Sequence, residues 1–386
     1  MSTVNGDNRP NGHDPVPDEH DNFAAETTLL LQDVNQSVTA DTVMRTTDQV
    51  GTGSARFFEM SDINFGTPLP RRVAELPDLP IIGNLFEFRE CIGTGGFCKV
   101  YKAFDTVLQR NVAIKTLSEK HNTKYSRRNA FIVEATVTAA LDHPSIIPIH
   151  GLYTDKENHL HLVEKLVLGK TFGEIIRQYI HDYENLPYTA IARKEASALL
   201  TRLEIFLKIC DAVGYAHNKQ ILHRDIKPEN VMIGPFNEVY VMDWGIAETR
   251  KTKMQPKNSS VIGTFSYLAP EILMNKSYDS RSDIYSLGVL LFYLVYLKLP
   301  FPVIEKQALI EFKNKGLMSS LDHAFDVKIP HALSRIIYKA TQVRPSERYQ
   351  SVQALSDDLH RLLRVNSAFD SVFGRVRKIF GLGFGR

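Results

Sequence analysis

The 386-residue chain has few cysteines, a single tryptophan and no long apolar run, and each shortage removes a class of explanation. Its three cysteines, Cys91, Cys98 and Cys210, share no CxxC or CxxH spacing, which argues against a zinc site or disulfide scaffold and fits a reducing cytoplasm. No stretch of 18 or more apolar residues occurs. The longest candidate, Leu287–Leu299, is short for a membrane span and is interrupted by Lys298, so it reads as a buried core helix. Charge of one sign is lacking as well. With 46 Lys and Arg against 44 Asp and Glu, the net charge of +2 gives no field that points to nucleic acid or acidic substrates. The N-terminus opens polar, without the charged-then-apolar order of a signal peptide. Together these absences predict a soluble, cytoplasmic protein that is still free to touch a membrane at its periphery.

Composition divides what is present. Residues 1–80 are rich in Asp, Asn, Thr, Ser, Gly and Pro and cannot bury enough surface to offset ordering entropy, so they are expected to be a disordered segment and linker. From about Leu85 the pattern changes. Phe86–Ile92, Val100–Phe104, Asn111–Leu117, Ile147–Leu152 and Leu160–Leu166 read as short strands, and Arg127–Leu141 reads as a helix among them. After Gly169 the periodicity is mostly helical, with helices predicted at Thr201–Asn218, Ser282–Tyr296, Ala332–Thr341 and Val352–Val365. A small β-rich half followed by a larger helical half implies an α+β fold of two lobes with a cleft between them.

The motifs fall on that cleft. Gly93–Val100 reads GTGGFCKV between two predicted strands, so a strand-turn-strand ribbon would lie over phosphates, its glycines allowing close backbone approach; a plain glycine-rich hairpin is the alternative. Val112-Ala113-Ile114-Lys115 is an alternating strand that ends in a lone lysine, able to hold an ammonium against α and β phosphates. Such a lysine needs an acid to fix it, and Glu134 lies on the following helix among apolar neighbours, unless it is a solvated helix residue. The strongest block is His223–Asn230, HRDIKPEN. There Asp225 would orient or accept the proton of an attacking hydroxyl, Lys227 would neutralise a migrating γ-phosphoryl group, and Asn230 would hold Mg²⁺. A strand ending in Asp243 (VYVMDWG) supplies the metal carboxylate, and a hard ion that keeps several waters needs little more.

On these motifs, residues 85–363 resemble a eukaryotic-type protein kinase domain in its bacterial form. The resemblance implies a bilobal kinase fold, with an N-lobe of about 85–166 and a C-lobe of about 167–363, and ATP with Mg²⁺ (Mn²⁺ as a substitute). It implies a nucleotide site of Ile92, Gly93, Thr94, Gly95, Gly96, Phe97, Cys98, Lys99, Val100, Ala113 and Lys115, with backbone groups from Lys165 to Val167 on the adenine edge. Lys227, two places after Asp225, marks the Ser/Thr class in that family. Thr264 resembles the residue that shapes the substrate-hydroxyl site, Glu271 would pair with Arg348, and Asp283 would anchor the catalytic-loop backbone. Arg224 would receive a phosphate from the activation segment, with Thr252, Ser259 and Ser260 as candidate autophosphorylation sites.

The chain departs from the family pattern in four places. Cys98 stands at the third phosphate-loop glycine, with a packing role preferred over a redox one. Trp244 replaces the usual phenylalanine and is expected to fill the space under the helix of Glu134. Glu164 puts an acid at the back of the adenine site, where pairing to a lysine would be required. Tyr179–Leu200 is longer than in the simplest members and reads as a solvated insertion.

The ends carry further expectations. Thr28 and Thr47 resemble sites read by a phosphothreonine-binding partner, against the blander reading of polar linker. The basic, amphipathic tail 364–386 is expected to be loosely ordered, with membrane contact as the alternative. No sensor domain follows the kinase-like stretch, so a signal would act through the termini, a partner or dimerisation. The rival classes are a pseudokinase scaffold, whose usual mark is loss of Lys115, Asp225 or Asp243, and a small-molecule kinase, which the protein-substrate segment GTFSYLAPE disfavours. The protein substrates themselves are not readable.

Overall fold

A computed structural model of the chain describes residues 79–244, 262–301 and 306–364, with the backbone alone for Ala196, Ile262, Gly263, Thr264 and Lys306. All of them belong to the unit Phe65–Arg386. Residues 1–78, the tail from 365, and Thr252, Ser259 and Ser260 lie outside the described residues.

Five strands build the N-lobe sheet: β1 (Phe86–Thr94), β2 (Cys98–Asp105), β3 (Arg110–Leu117), β4 (Ile149–Thr154) and β5 (Leu160–Lys165). Their order is β1-β2-β3-β5-β4, with antiparallel neighbours throughout. The sequence alternation sorts the side chains to two faces. Val112, Ile114, Ala103 and Val163 close a small core on the outer face. Leu117, Leu160 and Leu162 meet Phe131, Ile132 and Ala135 of helix α1 (Tyr125–Ala139) on the inner one. The tight β2–β3 turn is built by Asp105, whose Oδ1 accepts from the backbone of Val107 and Leu108, with Gln109 in the left-handed region. The folded chain begins ahead of the expected Leu85. Pro80 O accepts from Thr154 N at 2.9 Å, Ile82 N donates to Thr154 O at 2.7 Å, and Ile82 is buried.

β5 leads through Leu166–Gly169 into β6 (Lys170–Thr171), which forms a second sheet with β7 (Val231–Ile233) and β8 (Val239–Val241). Gly169 is required there, because a Cβ would lie 1.9 Å from the Ile233 carbonyl oxygen. Helix α2 (Phe172–Glu184) starts on a capping box between Thr171 and Glu174. Then come α3 (Tyr188–Asn218), α4 (Ile262–Tyr267), α5 (Pro270–Leu273), α6 (Ser280–Tyr296), α7 (Lys306–Asn314), α8 (His331–Ala340) and α9 (Val352–Arg364). Helix α6 absorbs most of the apolar run noted in the sequence and is buried nearly all round, as a central core helix must be. Gly288 lets α8 approach it, since a Cβ there would come within 2.7 Å of Ala340 and Thr341.

The expected solvated insertion at Tyr179–Leu200 is overturned. It forms the end of α2 and the first turns of α3, and it buries Tyr183, Ile191, Glu195 and Leu199. The buried acid is neutralised from the same helix by Arg202, whose two guanidinium nitrogens reach the two Glu195 oxygens, and His323 Nε2 lies 3.3 Å from Glu195 Oε1. Extra length reads as a solvated insertion in the sequence, but a paired charge can stay inside. Among the described residues no helix is long and apolar enough to cross a membrane.

Candidate active site

The site begins with β3, which presents Lys115, opposite Leu162 of β5, on the inner face. Its Nζ lies 2.6 Å from Glu134 Oε1 on α1 and 2.7 Å from Asp243 Oδ1 just beyond β8. Glu134 is therefore no solvated helix residue. Burial alone would lower the Lys115 ammonium, yet the carboxylates of Asp243, Glu134 and Glu164 hold it well above an ordinary lysine. In return the Lys115 charge holds the Asp243 carboxyl below the usual range. Asp243 has φ 61°, a left-handed backbone that costs a non-glycine residue roughly 1–2 kcal/mol and turns the side chain back to Lys115.

The loop between α3 and β7 carries the second group. Asp225 Oδ2 accepts from Lys227 Nζ at 2.6 Å and from Asn230 Nδ2 at 3.0 Å, and Asn230 also donates to Asp225 O at 2.8 Å. Asp225 Oδ1 has no partner among the described residues. Asn230 Oδ1 and the second oxygen of Asp243 are likewise without hydrogen bonds there. An open amide oxygen and an open carboxylate oxygen form a hard donor set, which fits Mg²⁺.

Asp283, buried on α6, holds this loop by its backbone. It accepts from His223 N and Arg224 N at 2.8 Å each, and its Oδ2 lies 2.8 Å from His217 Nε2. The His223 ring is neutral by burial; its Nε2 donates to Met242 O at 3.1 Å and its Nδ1 accepts from Asp225 N at 3.3 Å. Arg224 is buried at φ 66° with its guanidinium 4.6 Å from the Tyr278 ring centre. Glu271 and Arg348 form a two-pronged pair at 2.7 and 2.8 Å, and Ser282 Oγ donates to Glu271 Oε1 at 2.6 Å. Trp244 is fully buried in the core that also takes Val137 of α1, its Nε1 3.2 Å from Val241 O and its ring 4.6 Å from that of His223. Thr264 lies in α4, described by its backbone alone.

The glycine ribbon is the β1–β2 turn, with Gly93 opposite Val100, Thr94 opposite Lys99, and Gly95 N bonded to Cys98 O at 2.8 Å. Ile92 and Gly96 are exposed there. Phe97 is held from outside by Arg127, 4.0 Å from its ring centre. Cys98 packs against the Leu117–Phe131 cluster, and burial pushes its thiol up to about 11, so it acts as packing and is no reactive thiolate.

At the far end of the sheet, Lys102, Ala113 and Glu164 stand directly opposite one another across β2, β3 and β5. Glu164 is therefore on the inner face with Lys115, and burial pushes its carboxyl up to about 7. The expected lysine pairing is not made. Lys115 is bonded to Glu134 and Asp243, Lys165 Nζ bonds Tyr240 Oη, and Glu164 has no hydrogen bond among the described residues. The backbone edge is sharpened as well: Lys165 N is spent on Pro148 O at 3.0 Å, whereas Val167 N has no partner there.

Sequence reasoning missed Lys313. From α7 its Nζ donates to the carbonyls of Phe265, Ser266 and Leu268, where α4 ends. A lone lysine on an amphipathic helix gave no signal of it.

Residues 86–359 match the family described as protein kinase domain. The chain is 32% identical over 317 residues to serine/threonine-protein kinase PknD of Protochlamydia amoebophila, covering 76% of this chain and 31% of that protein. It is 31% identical over 296 residues to the protein of that name from Chlamydia abortus and 30% over 304 to that from Chlamydia caviae, each covering 72% of this chain and 31% of the relative. The chain thus spans about a third of the length of these curated relatives. With the lysine clamp, the two open oxygen donors and the anchored loop carried on a two-lobed fold, and with 86–359 matching, the chain belongs to the protein kinase domain family.

Proposed function

We propose that the chain is a protein serine/threonine kinase, moving the γ-phosphoryl group of Mg·ATP to Ser or Thr hydroxyls of protein substrates. The observation that carries this reading is Asp225, with Oδ2 held by Lys227 and Asn230 and Oδ1 open. That open oxygen is suited to orient a substrate hydroxyl and take its proton, a contribution of about 10²–10⁴-fold. Lys227 offsets the charge of the phosphoryl group in flight, and Lys115, steadied by two carboxylates, grips the α and β phosphates. Mg²⁺ (or Mn²⁺), held by Asn230 and Asp243, would supply neutralisation of the phosphate oxygens. Lys227 and the name of the relatives both favour a Ser/Thr acceptor. In the same reading, a phosphate on Thr252, Ser259 or Ser260 pairs with Arg224 and orders the activation segment.

The test incubates the full chain with Mg·ATP and a protein acceptor and follows phosphoserine and phosphothreonine. Wild type should label itself or the acceptor, and Asp225→Asn should not. Labelling that persists in Asp225→Asn overturns the assignment.

A further inference from the structure

We infer that Glu164 selects the nucleobase: its carboxylate accepts a hydrogen bond from the exocyclic amine of adenine and rejects a purine with a carbonyl at that position. The inference rests on the reading of this cleft as an ATP site. It adds a specificity-determining residue that neither the fold nor the catalytic chemistry requires.

Position is the first support. Residues paired directly across an antiparallel ladder share a face, and Glu164 is paired to Ala113 as Leu162 is paired to Lys115. Glu164 thus stands one pleat along from the phosphate-gripping lysine, on the same inner face. It also sits immediately before Lys165–Val167, the backbone edge with an open N–H at Val167. A purine bound to that edge with its phosphates at Lys115 lies along this face.

The missing partner is the second. Glu164 is half-buried and makes no hydrogen bond or ion pair among the described residues. The ammonium on its own face, Lys115, is bonded to Glu134 and Asp243, and the neighbouring Lys165 turns to Tyr240. A carboxylate taken partly out of water without a donor is costly, and an apolar side chain would fill the same space more cheaply. A ligand that brings a donor removes that cost.

Base chemistry supplies the donor. The adenine amine carries two hydrogens, so the backbone edge can take one and Glu164 the other. Guanine presents a carbonyl oxygen there, which would face the lone pairs of the ionised carboxylate with nothing between them. The discrimination therefore belongs to pH above about 7, where Glu164 is ionised. Hydrogen-bonding sites reject the wrong partner more strongly than apolar ones do, and one charge-assisted bond corresponds to roughly ten- to hundredfold in affinity.

The experiment measures equilibrium binding by calorimetry on the full chain at about pH 8.5, where the Glu164 carboxyl is ionised, using ATP, GTP and the triphosphate of unsubstituted purine riboside. Wild type should favour ATP over both by at least about tenfold. Glu164→Met should shrink the preference for ATP over the unsubstituted purine at least about fivefold, leaving only the share of the amine's backbone bond. Glu164→Gln, whose amide can turn its NH2 to a carbonyl, should narrow ATP over GTP; if one variant fails to fold, the other carries the test. Base preferences that stay the same in wild type and the folded variants overturn the inference, even while ATP binds and phosphoryl transfer proceeds. A folded wild type that binds no nucleotide overturns the kinase reading as well.

Discussion

The Lys313 side chain, 1% exposed, donates its amine to the Ser266 carbonyl at 2.7 Å. The same nitrogen reaches Phe265 O at 3.1 Å and Leu268 O at 2.5 Å, and it lies over the rings of Phe301 and Tyr285. Helix α7 is thereby bolted to the segment that leads into Ala269-Pro270-Glu271. Lys313→Met should leave those carbonyls short of donors and cost about 2–3 kcal/mol, read from the urea midpoint. If the segment shapes the acceptor site, KM for a protein acceptor should rise severalfold with KM for ATP unchanged. Equal rises in both would mean that Lys313 acts on the whole fold.

Lys115 hydrogen-bonds both Glu134 on α1 and Asp243 below the cleft. Lys115→Met should therefore remove the phosphate grip and set two carboxylates against each other. Phosphoryl transfer should fall at least about 100-fold, since charge stabilisation at a reacting phosphate is worth that much or more. Circular dichroism should still report a folded chain, because both acids border an open cleft. Single-turnover rates with Mg·ATP check the claim, and a drop below tenfold would contradict it.

The parts of the site that could be read from sequence are those where chemistry ties a residue type to a local pattern. A lone lysine at the end of an alternating strand, and an Asp, Lys and Asn at fixed spacing in one loop, mean the same thing before and after folding. Lys313 and Glu195 could not be read so directly. A lysine on α7 looks identical whether it meets water or three carbonyls from residues more than 40 positions away. For Glu195 a signal existed, since Arg202 lies seven residues on and returns to the same helical face, but His323 comes from a distant loop. Glu164 was legible as an oddity. That its lysine partner is absent depends on where Lys115 and Lys165 point, and only the three-dimensional arrangement decides that.

The Glu195–Arg202 pair is fully buried, so its two charges cannot be treated like a surface bridge. Removing one partner strands the other in the interior, and Arg202→Met alone should cost about 3–5 kcal/mol. Replacing both with apolar residues, Glu195→Leu with Arg202→Met, should recover most of that loss, because neither charge then needs solvation. His323 also faces Glu195 and would lose that contact in the double variant. Denaturation midpoints of the two singles and the double decide the matter. Additive losses would show that the pair is held by water or by other groups.

Glu271 ties stability to pH through Arg348. Burial pulls the Glu271 carboxyl up, but the Arg348 guanidinium and the Ser282 hydroxyl more than offset it, so the folded group lies below its usual 4.5. A depressed carboxyl contributes stability that is complete above the unfolded value and is lost as pH falls through the folded one. Wild type should therefore lose this contribution only below about pH 4.5. Glu271→Gln lacks the titrating group and leaves Arg348 without its charged partner. It should be less stable than wild type at pH 7, with a gap that narrows steadily as the pH is lowered toward 3. The check is urea denaturation of both proteins across that range. A gap that stays constant would mean that Glu271 does not ionise differently in the folded and unfolded chains, and the buried pair would then act through shape alone.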